Sequence, residues 1–240
     1  MGIWSNFVDL GFGRNAPAIW LYPPAPLEVK VGLTFRGNGF MTLSAPAYNN
    51  AWYVEADASE PLPRVRGVYD GGGAFTFLDY DGFRDGDFQT SAGWVVEQKD
   101  LLRWQRAQLA ELGFRENEID DVNYSYGRLL LMRGYKERFF LVYPQVKSVI
   151  DDSVELRIEP PADSVYRLWL YFVPSDDPPA MTEPRLASVI RSGFTAVELG
   201  FLTDSEIATT PANDADARRG ATASGSRRTL SSPRRSAPIA

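Results

Sequence analysis

The densest group of residues able to do chemistry is the stretch D-Y-D-G-F-R-D-G-D, where Asp79, Asp81, Asp85 and Asp87 fall within nine positions. Hard cations take several carboxylate and carbonyl oxygens, and Asp alternating with Gly can wrap a backbone around Ca²⁺. The spacing lacks the fixed Gly and terminal Glu of a helix-loop-helix calcium loop, so two readings stand: a calcium site on these four acids, or a solvated acidic loop. Asp81 also pairs in type with Glu198, and two carboxylates among aromatics are the equipment of a glycosidase. Tyr80, Trp94 and Trp169 would then offer rings on which sugars stack, although Trp and Tyr in a sheet domain ordinarily pack with one polar atom satisfied.

What the chain lacks bounds the rest. It has no Cys, which excludes structural disulfides, thiolate nucleophiles, iron–sulfur clusters and cysteine-ligated zinc. It has no His either, which removes the commonest general base and transition-metal ligand. Chemistry would have to run on carboxylates, Tyr, Lys, Ser or Thr, and no cofactor other than calcium is implied. Gly71, Gly72 and Gly73 make a turn, because no G-K-[ST] follows them to form a phosphate loop.

The elements that must hold these groups read mostly as strands. Leu27, Val29, Val31, Leu33 and Phe35 alternate with Glu28, Lys30, Gly32 and Thr34, the period of a half-buried strand. Ala18 to Tyr22 is almost wholly apolar, and Pro23, Pro24 and Pro26 separate it from the first run, so the two are expected on one sheet. Gly37, Asn38 and Gly39 predict a hairpin into Phe40 to Leu43. Further strands are expected at Ala51 to Ala56, Phe75 to Tyr80, Trp94 to Val96, Phe139 to Tyr143, Val154 to Ile158, Tyr166 to Val173 and Phe194 to Leu199. Between them Lys99 to Leu112 carries Leu102, Gln105, Leu109 and Leu112 on one helical stripe, with Gly113 as its stop. Asn117 is expected to cap a second helix with Ile119, Val122 and Tyr126 facing inward. The fold class is therefore α+β, mainly antiparallel β and sandwich-like, with a helical hairpin inserted at about 98–132.

Composition divides the chain in three. Residues 1–15 form an apolar arm carrying Trp4, Phe7, Val8, Leu10 and Phe12, with no basic residue ahead of them as a secretory signal would have. Gly2 lacks the Ser or Thr that a myristoylation signal places where Asn6 stands. Residues 16–205 make a single β-rich domain. Residues 206–240 are rich in Ala, Ser, Thr, Pro and Arg and cannot offset their ordering entropy by burial, so a disordered basic tail is expected. There Arg218, Arg219, Arg227, Arg228, Arg234 and Arg235 oppose three acids, giving +3 and leaving −9 on the rest. Such a tail could contact an acidic partner, and phosphorylation at Ser231 or Ser232 would reverse its sign. No apolar run approaches the ~18 residues of a membrane span, which favours an intracellular place or one within a particle.

The phrase P-A-I-W-L-Y-P at Pro17 to Pro23 resembles the opening of an uncharacterised family of β-rich proteins that begin K-P-V-I-Y-L-Y-P. The likeness continues in L-D-Y-D-G (Leu78 to Gly82) against L-F-W-E-G, and in G-W-V-V-E (Gly93 to Glu97) leading to the A-E-L-G-F helix close. It continues in Y-R-L-W-L-Y-F-V-P (Tyr166 to Pro174) and in G-F-T-A-V-E-L-G (Gly193 to Gly200) against G-F-T-V-V-E-W-G. The resemblance spans about residues 16 to 203, with Ala16 in place of the lysine, Leu199 in place of the tryptophan and the basic tail added. It implies one domain with a shared β-rich fold, and it carries no mechanism.

With no reactive constellation evident, the sequence favours a non-enzymatic structural or interaction domain. It would have a protein partner or belong to a larger assembly such as a virion, with nucleic acid not expected at the core. The alternative is a carboxylate-based protein that binds or processes glycans.

Overall fold

The computed structural model describes residues 17–59, 63–67 and 74–207. The apolar arm, the Gly71–Gly73 turn and the arginines of the tail lie outside them. The chain divides after Ala208, and the fold below is that of the first unit.

Eleven strands form two sheets, covered on one side by helices, among the described residues. The strands are β1 (Ala18–Tyr22), β2 (Leu27–Phe35), β3 (Phe40–Ala45), β4 (Trp52–Asp57), β5 (Arg64–Gly67), β6 (Leu78–Phe83), β7 (Trp94–Glu97), β8 (Phe139–Val146), β9 (Val154–Glu159), β10 (Ser164–Ser175) and β11 (Thr195–Leu202). Seven of them lie in the order β3-β6-β1-β11-β10-β8-β7 and four in the order β5-β4-β2-β9. All neighbours are antiparallel except β10 and β11, which run parallel. The fold is thus α+β and mainly antiparallel, as the patterning indicates.

Layering follows from which strands alternate. The β2 strand shows apolar and wet faces in turn; Val29, Val31 and Leu33 are buried in the core, and Leu27 and Phe35 pack partly against it. The β1 and β11 strands do not alternate, and every residue in both is buried. They form the centre of the large sheet, which is covered on both faces. On one face Trp20, Leu168, Leu170, Val197, Leu199 and Phe201 pack beneath Leu101, Leu109, Ile119, Val122 and Leu130 of the helices. On the other, Ile19, Leu21, Leu78, Tyr80 and Trp169 meet Val29, Val31, Trp52 and Val54 of the small sheet. Each fully buried Leu, Ile or Phe stabilises the fold by ~1.5–3 kcal/mol.

Two expected pairings are corrected. The β1 and β2 strands lie on different sheets, with the Pro23, Pro24 and Pro26 stretch carrying the chain between layers. The Gly37–Gly39 segment does turn, with Gly39 N–H donating to the Arg36 carbonyl at 2.9 Å. Yet β3 pairs with β6 in the large sheet and not with β2.

The helical insertion comprises α1 (Leu101–Glu111), α2 (Glu116–Val122), a π-helical turn (Asn123–Gly127) and α3 (Arg128–Met132). Gly113 ends α1 with φ of +84°, a left-handed conformation that favours glycine. The N-cap of α2 is Arg115 and not Asn117, which lies within the helix. The Glu118 carboxylate instead reaches back to accept from the Arg115 N–H at 2.7 Å. A further short helix, α4 (Lys147–Ser153), joins β8 to β9 and has no counterpart among the expected elements.

Candidate functional site

The two carboxylates of the hydrolase reading stand on opposite faces of the large sheet. Side chains alternate along β6, so Leu78 and Tyr80 enter the core toward the small sheet while Asp79 and Asp81 point toward the helical face. Glu198 alternates with Val197 and Leu199, which face the helices, and so points toward the small sheet. No shared cleft joins Asp81 to Glu198, and the geometry that a paired-carboxylate hydrolysis requires is missing.

Glu198 is 1% exposed and sits where β11 lies beside β10, directly opposite Arg167. Its Oε2 accepts from Arg167 Nε at 2.7 Å, and its Oε1 accepts from Trp169 Nε1 at 2.6 Å, Tyr80 Oη at 2.8 Å and Arg167 Nη2 at 3.2 Å. Arg167 Nη1 donates further to Asp151 Oδ1 and to the Val154 carbonyl, both at 2.7 Å. Charges taken from water need this degree of pairing, because an uncompensated buried ion costs several kcal/mol. Burial, and then the negative charge of Glu198, push the Tyr80 phenol well above its ordinary pKa, so it remains a donor. Burial alone would lower the Arg167 pKa. The Glu198 carboxylate, aided by Tyr80 and Asp151, outweighs it and holds the guanidinium above its ordinary value. This network locks β6, β10 and β11 to one another and to α4.

Three of the four acids of the calcium reading take separate partners. Asp79 is buried and accepts from Tyr126 Oη at 2.8 Å, which ties β6 to the helical layer. Asp81 accepts from the Gly82 N–H at 2.7 Å and lies 3.5 Å from Arg84 Nη1. Asp85 accepts from Asn38 through its N–H at 2.9 Å and its Nδ2 at 3.1 Å, closing the turn before β3. Asp87 is exposed. Among the described residues no three acidic side chains converge as a metal site would need.

The aromatic rings of the glycan reading have little surface to offer. Tyr80 and Trp169 are 0% exposed, so neither has a face free for a sugar. Trp94 is half-buried and stacks edge-on against Trp104, with centroids 5.3 Å apart. Two shallow clefts of about 270 and 280 Å³ open at the surface; Arg167 and Asp151 of the Glu198 network line the second, and neither is lined by Asp81 or Glu198.

A second buried network escaped the sequence reading. Glu118, 0% exposed, accepts from Tyr22 Oη and Arg191 Nη2, each at 2.7 Å. The guanidinium groups of Arg115 and Arg191 lie over the Tyr22 ring, at 4.2 and 4.9 Å from its centroid. Beside it Trp20 Nε1 donates to Asp121 Oδ2 at 3.3 Å. Burial is the main cause that raises Asp121 to about 6, with the neighbouring charges of Asp120 and Glu118 adding to it against the Trp20 hydrogen bond. A charged residue at helical spacing toward a buried tyrosine gives the sequence no signal of its own.

Apolar side chains are also exposed at one edge of the large sheet. Phe40 and Phe83 are cross-strand neighbours, with ring centroids 5.1 Å apart, and are 53% and 38% exposed. Leu43 lies opposite Asp81 and is also exposed. Their strand can approach β6 closely because Gly82 has no Cβ, which would strike the Phe40 carbonyl oxygen.

The chain matches no family model, no curated protein and no solved structure.

Proposed function

We propose that this chain is a non-enzymatic structural or interaction domain that works within a larger assembly such as a virion, with residues 206–240 as a basic arm toward an acidic partner. The observation that supports this reading is the state of Glu198. A carboxylate that already holds an arginine, an indole N–H and a phenol O–H in a closed interior has neither the access nor the free lone pairs that acid–base or nucleophilic work needs. Asp79, Asp81 and Glu118 are similarly engaged by internal partners. No helix of the described residues is long and apolar enough to cross a membrane.

Size fractionation of a native extract tests the reading. The chain, 26.8 kDa by itself, is expected to elute with other proteins at several times that mass, and removal of residues 206–240 is expected to reduce the share doing so. Elution of the intact chain free of every other protein overturns it.

A further inference from the structure

The fold asks for glycine on both sides of Asn38, at the turn that leads into β3. A Cβ at position 37 would strike Asp85 Oδ2, and the chain there takes a φ of +55°. A Cβ at position 39 would come within 3.0 Å of the Arg36 carbonyl oxygen and 3.1 Å of the Phe83 carbonyl oxygen. Close packing on β6 thus selects Gly39, and in doing so it leaves an asparagine followed by a glycine. The pair Asn-Gly occurs once in the 240 residues, and its Asn38 is exposed. This is the weakest context for a side-chain amide, because a glycine has no side chain to hinder its backbone nitrogen from reaching the amide carbon.

We propose that Asn38 is a site of spontaneous deamidation governed by Asp85. The Gly39 nitrogen, having given up its proton, bonds to Asn38 Cγ. The Cγ–Nδ2 bond breaks, and Nδ2 leaves as ammonia with that proton. Water then opens the five-membered succinimide at either carbonyl, leaving an aspartate or an isoaspartate at position 38. No electrons change hands, and water is the sole co-reactant. Net charge moves from −6 to −7. The proposal goes beyond the assembly reading and does not depend on it.

Asp85 acts on both sides of the step. Before it, Asp85 Oδ2 accepts from Asn38 Nδ2 at 3.1 Å and from the Asn38 N–H at 2.9 Å, while the Gly39 N–H donates to the Arg36 carbonyl at 2.9 Å. These bonds occupy the leaving group and the nucleophile, and the Asp85 carboxylate opposes the negative charge that builds on the Gly39 nitrogen. They lie at an exposed turn, so they slow the reaction without forbidding it. After the step the Nδ2 donor is gone, and a new carboxylate stands against Asp85. Arg36, the cation of the same turn, is already engaged by Glu155. The repulsion loosens the turn and with it the start of β3.

Incubation of the pure full chain in warm, mildly alkaline buffer tests this, read by peptide mass mapping and an isoaspartate methyltransferase assay. The folded chain is expected to accumulate a more acidic form modified at position 38, and Asn38→Ser is expected not to. Asp85→Ala should speed the conversion about tenfold in the folded chain. Asp85→Asn, which keeps an acceptor and drops the charge, should fall between variant and parent. In concentrated urea, where position 85 no longer faces the turn, all these rates should coincide. Asn38→Asp stands in for one product. Its urea midpoint should fall below that of Asn38→Ser, and the difference should vanish when each is combined with Asp85→Asn. Conversion at position 38 in urea with none in the folded chain overturns the proposal. So does a folded rate that neither Asp85 variant changes, and so do equal midpoints for Asn38→Asp and Asn38→Ser.

Discussion

Glu198 shows what a lone charge inside an apolar strand is for. Removing it by Glu198→Ala leaves Arg167 buried with only Asp151 and a carbonyl, and the expected cost is about 3–5 kcal/mol, read as a lower urea midpoint. An unmoved midpoint would mean the network does not hold the sheets. Asp121 makes the opposite case. Its folded pKa of about 6 lies above the usual 3.8, so between those values the folded chain keeps a proton that the unfolded chain has released. Stability therefore falls as pH rises through that window, by on the order of 2–3 kcal/mol, and the whole penalty is present at pH 7. Asp121→Asn still accepts from Trp20 and is expected to flatten this dependence and raise the melting temperature at pH 7.5 by roughly 4–12 °C. Identical pH profiles for variant and parent would refute it. Only the first of the two networks left a trace in the sequence. Arg167 in Y-R-L-W-L-Y-F and Glu198 in T-A-V-E-L-G-F are single charges in otherwise oily strands, and two such charges of opposite sign are a signal to pair them. Glu118 sits in an acidic helix start where charge is ordinary, and nothing in E-N-E-I-D-D-V singles it out as the fully buried acid.

At the scale of elements, strand identity was readable and strand partnership was not. The β2 strand is bounded by the same residues in pattern and in structure, because alternation is local. Pairing depends on what lies across the core. Gly37–Gly39 could serve a hairpin, yet in the fold Phe40 lies against Phe83 and Met41 packs against the core opposite Gly82, contacts that local turn residues do not encode. The absence of alternation in β1 did carry information. A strand oily on both faces belongs to a sheet covered twice, which β2 with its wet face cannot share as an equal. The α4 helix was lost because seven residues give too short a period to recognise. Two glycines give sharp tests. Gly113→Ala meets no close atom and bears only the strain of φ +84°, so the expected loss is about 1 kcal/mol in denaturant titration. Gly82→Ala drives a methyl into the Phe40 carbonyl and is expected to uncouple β3, seen as faster amide exchange from Phe40 to Ala45 while β11 stays protected. Exchange as slow as in the parent at Phe40 to Ala45 would show that the close approach is not needed.

Across the whole molecule, protection should fall from the centre of the large sheet outward. The β1 and β11 strands, buried on both faces, are expected to exchange their amides only by global unfolding, whereas β3 and β5 should open locally with a smaller free energy. Uniform rates across the strands of both sheets would contradict the layered arrangement. The same central pair dictates how the chain must be made. Ile19 bonds beside Glu198, so the strand that emerges early from the ribosome has no neighbour on that side until the far end of the fold has been translated. At 5–20 residues per second that delay is roughly ten to thirty-five seconds. During it Ile19, Trp20 and Leu21 stand open on a nascent chain, and any stall before residue 195 releases a product with its sticky middle bare. Cells producing this protein at high level should therefore need a chaperone that shields oily strands, and truncations ending between β10 and β11 should be recovered in inclusion bodies.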